Sequence, residues 1–467
     1  LSYRGYDSAG IAMPSAQGLQ RRRSPGKLEN LALTLKNDPL SGPIGIGHTR
    51  WATHGAATAT NAHPHMTPRV AVVHNGIVEN HSALREELQS KGFVFESETD
   101  SEVIPALIDA MLEQGYSPTQ ALRKALQKMQ GAIAVAVVFE RFPSTLYAAR
   151  INSPLVIGSS GEGHYLSSDA NAFSTDITRV YHLSDGEIAR LTNDEVVMED
   201  PTGTPKTPAW SARRSYELTS SKGRYDHYML KEIHEQPKVL NRIIDHYMDP
   251  QKNCFSIPYL PFDAAKLQRL TILACGSSYF AGMMGKAWLE KYAGLAVDLD
   301  IASEYVHRNT PQNPAEPVIL ISQSGETADT LAALRYAKRH GRPVVSVINV
   351  PDSTMALESD LALPTLAGPE VGVASTKAFT AQMAVLAVFA THLASQRTQI
   401  EPVEGSLIVA DLQQTCSDVE RILTMTQSVE AAASLFHDKQ TALFIGRGPA
   451  YALAEEGALK LKEISYI

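Results

Sequence analysis

The chain has 467 residues, so at ~150 residues per domain we predict two to four domains. Hydrophobic residues make up 44% and charged residues 20% of the sequence, which excludes a disordered chain and allows large cores. The formal net charge of -8 argues against a nucleic-acid partner and against an anionic membrane. Cys254, Cys275 and Cys416 form neither a CxxC pair nor a disulfide framework, which is typical of a protein from the reducing cytoplasm.

Residues 1–198 have the pattern of an α+β layered domain, with strands and helices in mostly non-alternating order. The apolar runs "VAVVHNG" and "AIAVAVVFE" predict strands. Helical spacing predicts helices within 79–92, 101–115 and 117–131, the last beginning at a Ser-Pro pair. The basic run Arg21–Arg23 is too short for a polybasic signal, and we interpret it as a solvated loop.

Residues 199–255 begin with a Pro-, Ser- and Thr-rich stretch that predicts a linker, followed by a connecting helix from about Asp226. Pro237 is expected to kink or break that helix. The next stretch, 256–429, alternates strand, glycine or hydroxyl-rich turn, and helix, with continuously apolar strands. This order predicts an open, doubly wound α/β domain. No apolar run approaches the ~18 residues of a membrane span.

An internal sequence repeat predicts a second α/β domain over 430–467. "TALFIGRGPAYALAEEGALKLKE" from Thr441 repeats, 170 residues later, the strand, turn and helix that begin at Thr271. The sequence starts at Leu1 without a methionine and stops at Ile467 inside a helical pattern. We therefore expect the native protein to be longer at both ends.

The turn "SQSGETADT" carries the clearest chemical signal of the α/β part. It follows a strand and opens a helix, where unpaired N–H groups attract phosphate. Ser322, Ser324 and Thr327 add hydroxyl donors, Gly325 allows close approach, and Gln323 can reach sugar hydroxyls. Since there is no Walker lysine, a sugar monophosphate fits better than a nucleoside triphosphate. The alternative is a turn whose hydroxyls merely cap the helix.

Two further turns and one helix add to this candidate site. Ser277 and Ser278 lie in the turn "ACGSS", and "GVASTKAFT", residues 372–380, forms another hydroxyl-rich turn. Lys460 and Glu463 share a helix face, and a glutamate there could move a proton between sugar carbons, as aldose–ketose isomerisation requires. The alternative for that pair is an ordinary surface ion pair.

The first domain combines groups suited to an α-amino acid substrate. Arg50 suits a carboxylate, and Asp100 suits an ammonium group or a helix cap. Asn75 and Gly76 suit an oxyanion hole or a β-turn. Histidines occur at 48, 54, 63, 65 and 74. Since neither HExxH nor a nearby cysteine accompanies them, we interpret them as structural rather than as metal ligands.

Taken together, the motifs resemble those of the glutamine–fructose-6-phosphate aminotransferase family over essentially the whole chain. The first half contributes "YRGYDSAG", "GHTRWATHG", "NAHPH", "VVHNGIVEN" and "SETDSEV". The second half contributes "MLKEIHEQP", "ACGSS", "SQSGETADT", "GVASTKAFT" and "EGALKLKEISYI". The resemblance implies an N-terminal-nucleophile fold, that of class II glutamine amidotransferases, followed by doubly wound sugar isomerase (SIS) domains, the second one truncated.

The resemblance also implies an activity. An N-terminal cysteine would release ammonia from glutamine, and the ammonia would pass through an internal channel to fructose 6-phosphate. Isomerisation would then give glucosamine 6-phosphate, in a cytoplasmic homodimer without metal or organic cofactor.

By the same resemblance, two groups of site residues follow. The glutamine pocket comprises Arg4, Arg50, Thr53, His54, His63 and Asp100, with Asn75 and Gly76 as oxyanion hole and Trp51 as channel gate. The sugar-phosphate site comprises Ser277, Ser278, Ser322, Gln323, Ser324, Thr327 and Ser375, with Glu463 as proton-transferring base and Lys460 as its partner.

Departures from the family pattern limit this expectation. The nucleophilic cysteine would lie upstream of Leu1, and the ring-opening histidine and Schiff-base lysine beyond Ile467. Ser277 stands where the family has a threonine. We therefore expect the chain as given to lack both complete active sites, and a longer parent protein to have them. The alternatives are a sugar-phosphate-binding regulatory protein, or a deglycase built on the same two folds.

Overall fold

The structure is a computed structural model that describes residues 6–51, 55–213 and 222–467. Internal contacts divide the chain into two compact units, Leu1–Glu217 and Leu218–Ile467. The finer domain limits expected at 198, 255 and 429 stay predictions.

The first unit is an antiparallel β structure with helices on one side. Its strands are β1 (Ser8–Ser15), β2 (Gly18–Pro25), β3 (Ile46–Arg50), β4 (His65–Met66), β5 (Val70–Val78), β6 (Gly131–Phe139), β7 (Phe142–Ile151), β8 (Val156–Ser159), β9 (His164–Ser167), β10 (Arg179–His182), β11 (Ile188–Leu191), β12 (Val196–Glu199), β13 (Pro205–Lys206) and β14 (Ser211–Ala212). Its helices are α1 (Leu28–Asn37), α2 (His81–Ser90), α3 (Val103–Glu113) and α4 (Pro118–Lys128).

Three sheets make the layers of this unit. A seven-stranded sheet runs in the order β13-β12-β11-β7-β6-β5-β4, beside a three-stranded sheet β2-β1-β3 and a four-stranded sheet β14-β10-β8-β9. Val70 and Val72 of β5 pack on the helix side, while Ala71 and Val73 pack on the opposite face. Because both faces of the large sheet are covered, β5 and β6 are apolar at successive positions, and the predicted α+β layered fold is confirmed.

The predicted helices of the first unit are present as α2, α3 and α4. Ser117 begins α4 with a capping box to Gln120, and Pro118 occupies its first turn. Helix α1 was not predicted, although Leu28, Leu31 and Leu35 lie at helical spacing; Leu31 is its one buried residue. Within the segment predicted as a linker from residue 199, β13 and β14 each join a sheet of the first unit.

The second unit is built around a parallel sheet. Its strands are β15 (Met248–Asp249), β16 (Cys254–Phe255), β17 (Arg269–Ala274), β18 (Ala296–Ile301), β19 (Val318–Ser322), β20 (Val344–Ile348) and β21 (Leu361–Pro364). Its helices are α5 (Tyr228–Tyr247), α6 (Gly276–Ala293), α7 (Ala302–Tyr305), α8 (Ala328–Arg339), α9 (Thr354–Glu358), α10 (Lys377–Gln396), α11 (Pro402–Leu423), α12 (Thr426–Ser434) and α13 (Pro449–Ser465).

The five-stranded sheet has the order β18-β17-β19-β20-β21, with every neighbouring pair parallel. One face packs against α5, α6, α10 and α11, and the other against α7, α8 and α9. The predicted doubly wound α/β architecture is therefore confirmed.

Pro237 does not break its helix. Helix α5 continues from Tyr228 to Tyr247 with the proline inside it. A proline leaves the carbonyl four residues earlier without its usual N–H donor. The side chain of Gln236 donates to that carbonyl, the one of Ile233, at 2.9 Å. This substitute hydrogen bond explains why the predicted break is wrong.

Two further expectations differ from the structure. The strand predicted at 441–445 is not formed within the described residues, and Leu443 and Ile445 are each 91% exposed there. A strand needs a neighbour for its backbone groups, and the described chain supplies none at this position. The helix of the internal repeat is present as α13.

Among the described residues, α10 is long and apolar enough to span a membrane, but 78% of its apolar window is buried inside the protein, as in a core helix.

Candidate active site

The first unit contains a cavity of about 1450 Å³. Strand β3, strand β5 and the short 3-10 helix Asp100–Glu102 each contribute to its wall, although they are far apart in the sequence. The fold thus gathers six residues predicted for the glutamine site, namely Arg50, Trp51, His63, Asn75, Gly76 and Asp100. The predictions for Arg4, Thr53 and His54 lie outside the described residues.

Arg50 is the last residue of β3 and is buried, at 6% exposed. Its Nη2 lies 3.3 Å from the carbonyl oxygen of Gly55, and its Nη1 lies 3.4 Å from that of Ala56. Both contacts are longer than the usual 2.7–3.2 Å, so they are weak hydrogen bonds. A buried guanidinium on a cavity wall is suited to holding a carboxylate with two parallel N–H donors.

Glu98 and Asn61 brace the loop that begins at Gly55. Glu98 accepts hydrogen bonds from the side chain of Asn61 at 3.0 Å and from the Ala56 backbone at 3.4 Å. Asn61 in turn accepts from the Glu98 backbone at 3.0 Å and donates to the Ala56 carbonyl at 3.0 Å. The carbonyls that face Arg50 therefore belong to a fixed loop.

The basic run Arg21–Arg23 was predicted to be a solvated loop. It lies instead within β2 and pairs with β1. Arg23 donates from Nη1 to the carbonyls of Thr60 and Ala62, at 2.7 and 3.0 Å. Burial lowers the pKa of Arg23 to about 10. Arg23 supports the loop that leads to His63, and local patterns could not predict this contact because Thr60 lies 37 residues further along the chain.

Asn75 and Gly76 lie inside β5 rather than in a β-turn, so the turn alternative is wrong. They pair with Ala134 and Ile133 of β6. Gly76 has φ of +136°, and a Cβ there would lie 1.9 Å from the Ala132 carbonyl oxygen. Only glycine fits this close approach, which keeps the backbone of β5 flush with β6.

The side of β5 that faces away from β6 is open at this point. Strand β4 pairs with Ala71 and Val72 only, so within the described residues its ladder has ended before Asn75. Asn75 and Gly76 are both exposed to the cavity. An amide side chain and an adjacent backbone at an open strand edge can direct donors at a developing oxyanion.

Asp100 does not act as the cap of its helix. Thr99 occupies the cap position without a side-chain bond, and Asp100 is the first residue of the 3-10 helix. The buried carboxylate accepts from the backbone N–H of Val78 through Oδ2 at 2.7 Å. It therefore fixes the end of β5, while Oδ1 accepts a long hydrogen bond from the Ser101 hydroxyl at 3.4 Å and Asp100 lines the cavity.

Four of the predicted histidines form a cluster of rings, in which His63, His65 and His74 are buried and His48 is half-buried. The centroids of His48 and His63 are 4.2 Å apart, and those of His63 and His65 are 4.8 Å apart. His74 bonds through Nδ1 to the Ser101 hydroxyl at 2.8 Å. Burial lowers the pKa of all four, that of His48 to about 4, so the rings are neutral at pH 7. The rings meet tilted or edge to face, and neutral rings in mutual contact agree with the structural interpretation.

In the second unit, the sheet order locates the expected ligand edge. The chain runs from β17 outward to β18 and then returns to β19, so the order reverses between β17 and β19. Ligands of open α/β sheets bind at the carboxyl ends of the strands beside such a reversal. Cys275 and the first turn of α6, with Ser277 and Ser278, follow β17, and residues 323–327 follow β19. The first of these segments was predicted as a turn, but it is helical from Gly276 onward.

The hydroxyls of the second turn shape the loop rather than cap α8. Ser322 Oγ accepts from the Gly325 N–H at 3.0 Å, and Ser324 Oγ accepts from the Glu326 N–H at 3.2 Å. Thr327 is at the cap position without a side-chain cap bond. A serine oxygen that accepts can still donate its own O–H, so the Ser324 hydroxyl can donate to an anion, while Ser322 Oγ also lies 3.5 Å from Thr327 Oγ1. Gly325 has φ of +67°, and a Cβ there would lie 2.1 Å from the Ser353 hydroxyl.

The remaining predicted residues each have a defined contact. Ser278 Oγ accepts from the Gln382 side chain of α10 at 3.0 Å, and Ser375 Oγ donates to Glu370 at 3.1 Å. The Gln323 carbonyl accepts from the Asn349 N–H at 3.3 Å. These contacts fix the three turns within their own unit.

Lys460 and Glu463 form the ion pair expected from their spacing, with Nζ 2.5 Å from Oε2. The pair is not simply superficial, because Lys460 Nζ also lies 3.5 Å from the buried Glu456. Burial raises the pKa of Glu456, against the opposing effects of Lys460 and the Ser277 hydroxyl. Ser277 and Lys460 thus meet at Glu456. Sequence reasoning missed Glu456, although its spacing of four residues from Lys460 placed it on the same helix face.

Comparison with known proteins agrees with the two folds. Residues 48–175 match the glutamine amidotransferase domain, and residues 265–392 match the SIS domain. The fold and the candidate site therefore define the class, which is a glutamine amidotransferase joined to a SIS domain.

The relatives identify the family within that class. The chain is 46% identical over 467 residues to the glutamine–fructose-6-phosphate aminotransferase (isomerizing) of Zymomonas mobilis, covering 100% of this chain and 77% of the relative. It is 47% identical over 468 residues to one from Bradyrhizobium diazoefficiens, with the same coverage. A solved C-terminal domain of the Francisella tularensis glucosamine-fructose-6-phosphate aminotransferase matches 53% of this chain and 70% of that one, with 40% identity and a TM-score of 0.51. The chain belongs to the glutamine–fructose-6-phosphate aminotransferase (isomerizing) family, a family of enzymes.

This membership decides between the hypotheses drawn from the sequence. The relatives carry the name of the aminotransferase, not that of a regulatory protein or a deglycase. The aminotransferase interpretation is therefore supported, and its alternatives are not.

Proposed function

We propose that the protein transfers the amide nitrogen of glutamine to fructose 6-phosphate and isomerises the product to glucosamine 6-phosphate. The observation that carries this proposal is the single cavity on which Arg50, Asn75, Gly76 and Asp100 converge, in a chain whose relatives are named for that reaction.

In the glutaminase step, opposite charges bind the two ends of the amino acid. Arg50 holds the α-carboxylate through its guanidinium fork, and Asp100 holds the α-ammonium group. Asn75 and Gly76 stabilise the negatively charged oxyanion of the tetrahedral intermediate. Their interaction with that charge is stronger in a pocket of low dielectric constant than in water. His63 shapes the pocket, together with Arg4, Thr53 and His54. The attacking thiol is the cysteine that the family resemblance implies upstream of Leu1.

Trp51 directs the released ammonia. It follows Arg50 directly, lines the same cavity and is 64% exposed, so its ring is accessible to a passing molecule. Its role as channel gate rests on this position and on the family resemblance.

In the sugar step, the turns at the sheet edge hold the phosphate and the sugar hydroxyls. The binding residues are Ser277, Ser278, Ser322, Gln323, Ser324, Thr327 and Ser375. Glu463 transfers the proton between adjacent sugar carbons, and Lys460 orients it through their 2.5 Å contact. The buried Glu456 holds Lys460 from the other side.

The setting follows from charge and family. A net charge of -8 supports small-molecule substrates without nucleic-acid or membrane partners. The family resemblance supports a cytoplasmic homodimer that works without metal or organic cofactor.

The test is product formation by the full-length protein. Glucosamine 6-phosphate is measured with fructose 6-phosphate and either glutamine or ammonium as nitrogen donor. We expect product with both donors. If neither donor gives product while the protein is folded and binds fructose 6-phosphate, the proposal is refuted in favour of a binding protein.

A further inference from the structure

A buried carboxylate of α5 holds the loop that carries Ser375. Glu232 is 2% exposed, and its Oε1 accepts from the backbone N–H of Val371 at 2.5 Å. Both of its oxygens also accept from the N–H of Gly372, at 3.1 and 3.2 Å. These donors lie about 140 residues downstream of Glu232, so neither the sequence nor the reaction chemistry points to this side chain.

A second carboxylate holds the other end of the same loop. Glu370 accepts from the N–H groups of Thr376 and Ala378 through Oε1, at 2.9 and 3.0 Å, and from the Ser375 hydroxyl through Oε2, at 3.1 Å. It therefore caps the first turn of α10, whose N–H groups lack partners within the helix. Glu232 therefore fixes the start of loop 371–376, and Glu370 fixes its end.

An ion pair joins α5 and α10 beside this loop. Lys377, the first residue of α10, is 3% exposed, and its Nζ lies 2.6 Å from Oε2 of Glu235. A cation at a helix N-terminus is disfavoured by the helix dipole, and a buried one needs a partner in good geometry. Glu235 supplies that partner from the same helix as Glu232, so α5 and α10 cannot shift independently.

The contact between Glu232 and the loop has no spare room. A Cβ built on Gly372 would lie 2.6 Å from Oε2 of Glu232 and 3.3 Å from the Met229 side chain. The loop backbone therefore lies against α5, and a side chain at position 372 would have to displace the carboxylate of Glu232.

We propose that Glu232 is a positioning residue that sets loop 371–376 and thereby the affinity of the protein for the sugar phosphate at Ser375. This inference rests on the proposed function, which assigns Ser375 to sugar-phosphate binding. Glu232 itself touches only backbone N–H groups of the loop among the contacts described. Its loss should weaken binding of fructose 6-phosphate and leave the proton transfer by Glu463 and the glutaminase step intact.

The first test is Glu232→Gln in the full-length protein. The amide keeps the shape and one acceptor but presents an NH2 group to an N–H donor. We expect KM for fructose 6-phosphate to rise about tenfold, equivalent to about 1.4 kcal/mol. We expect kcat to change less than twofold and glutamine hydrolysis to stay unchanged. Asp360→Asn is the matched control, since Asp360 also accepts a backbone N–H, that of Val344 at 2.8 Å, away from loop 371–376.

The second test asks whether the effect passes through the loop contact. Gly372→Ala should raise the same KM, and the double variant with Glu232→Gln should cost no more than the worse single change, because both disturb one contact. Additive changes, an unchanged KM in Glu232→Gln, or an equal rise in Asp360→Asn would overturn the positioning role. If the unsubstituted protein forms no glucosamine 6-phosphate, the proposed function itself fails instead.

Discussion

Arg50→Lys separates the geometry of the carboxylate clamp from its charge. Lysine keeps a positive charge at the end of β3 but replaces a planar fork by a single ammonium group. Two contacts of the Arg50 guanidinium are with the loop carbonyls of Gly55 and Ala56, at 3.3 and 3.4 Å, and both are weak hydrogen bonds. The main expected loss falls on the bound glutamine carboxylate.

The magnitude follows from the number of charged hydrogen bonds. A bidentate pair reduced to one bond loses roughly 1.5–3 kcal/mol. Since 1.4 kcal/mol corresponds to a factor of ten, KM for glutamine should rise roughly 10- to 150-fold. The assay is glucosamine 6-phosphate formation by the full-length protein, with glutamine and, separately, with ammonium as donor.

Ammonium supplies the internal control. Free ammonia does not need the carboxylate clamp, so ammonium-dependent synthesis should stay within twofold of the unsubstituted protein. Equal loss with both donors would refute the assignment of Arg50 to glutamine binding. So would an unchanged KM for glutamine.

Three other predictions follow from the same structure. Gly76→Ala should abolish glutamine hydrolysis while ammonium-dependent synthesis persists, because its Cβ would meet the opposite strand at 1.9 Å; Gly161→Ala, in open space, is the control. His48 is neutral when folded, with a pKa of about 4 against 6.5 unfolded, so its contribution of about 3 kcal/mol is present above pH 6.5 and lost as the pH falls toward 4. The melting temperature should therefore drop between pH 7 and 5, and less so in His48→Gln; a flat pH profile would contradict this. Gly325→Ala should raise KM for fructose 6-phosphate at least tenfold, since φ of +67° and the Ser353 hydroxyl at 2.1 Å leave no room for a methyl group, and unchanged synthesis would count against the phosphate turn.

Sequence patterns correctly predicted the helices and strands that depend on interactions between residues close together in the chain. The capping box at Ser117 and the continuous apolar strands of the second unit were readable, since cap chemistry and two-sided burial leave direct marks in the sequence. The order of the strands in the sheet was not predicted from the sequence. The structure shows that the order reverses between β17 and β19, the two strands that precede predicted hydroxyl-rich segments.

The errors came from partners that lie far away in the sequence. An Asn-Gly pair favours a turn locally, yet the partner of Gly76 in β6 lies 57 residues further on and holds the pair in a strand. The same holds for Arg23 and its carbonyl partners, and for Glu232 and its loop. Pro237 is the opposite case, because the side chain that repairs its helix is its direct neighbour, and helix rules carry no provision for such a repair.

The unequal lengths of β4 and β5 set a rule for how this pocket can change. Strand β5 has nine residues and β4 has two, so β5 extends past its neighbour where Asn75 and Gly76 lie. A longer β4 would pair with the open edge of β5 at Asn75 and Gly76 through its own peptide groups. It would obstruct the substrate without altering any substrate-binding side chain. Insertions beside His65 and Met66 would therefore lower activity by blocking the pocket with backbone. Mutagenesis that only substitutes pocket side chains would not detect this effect.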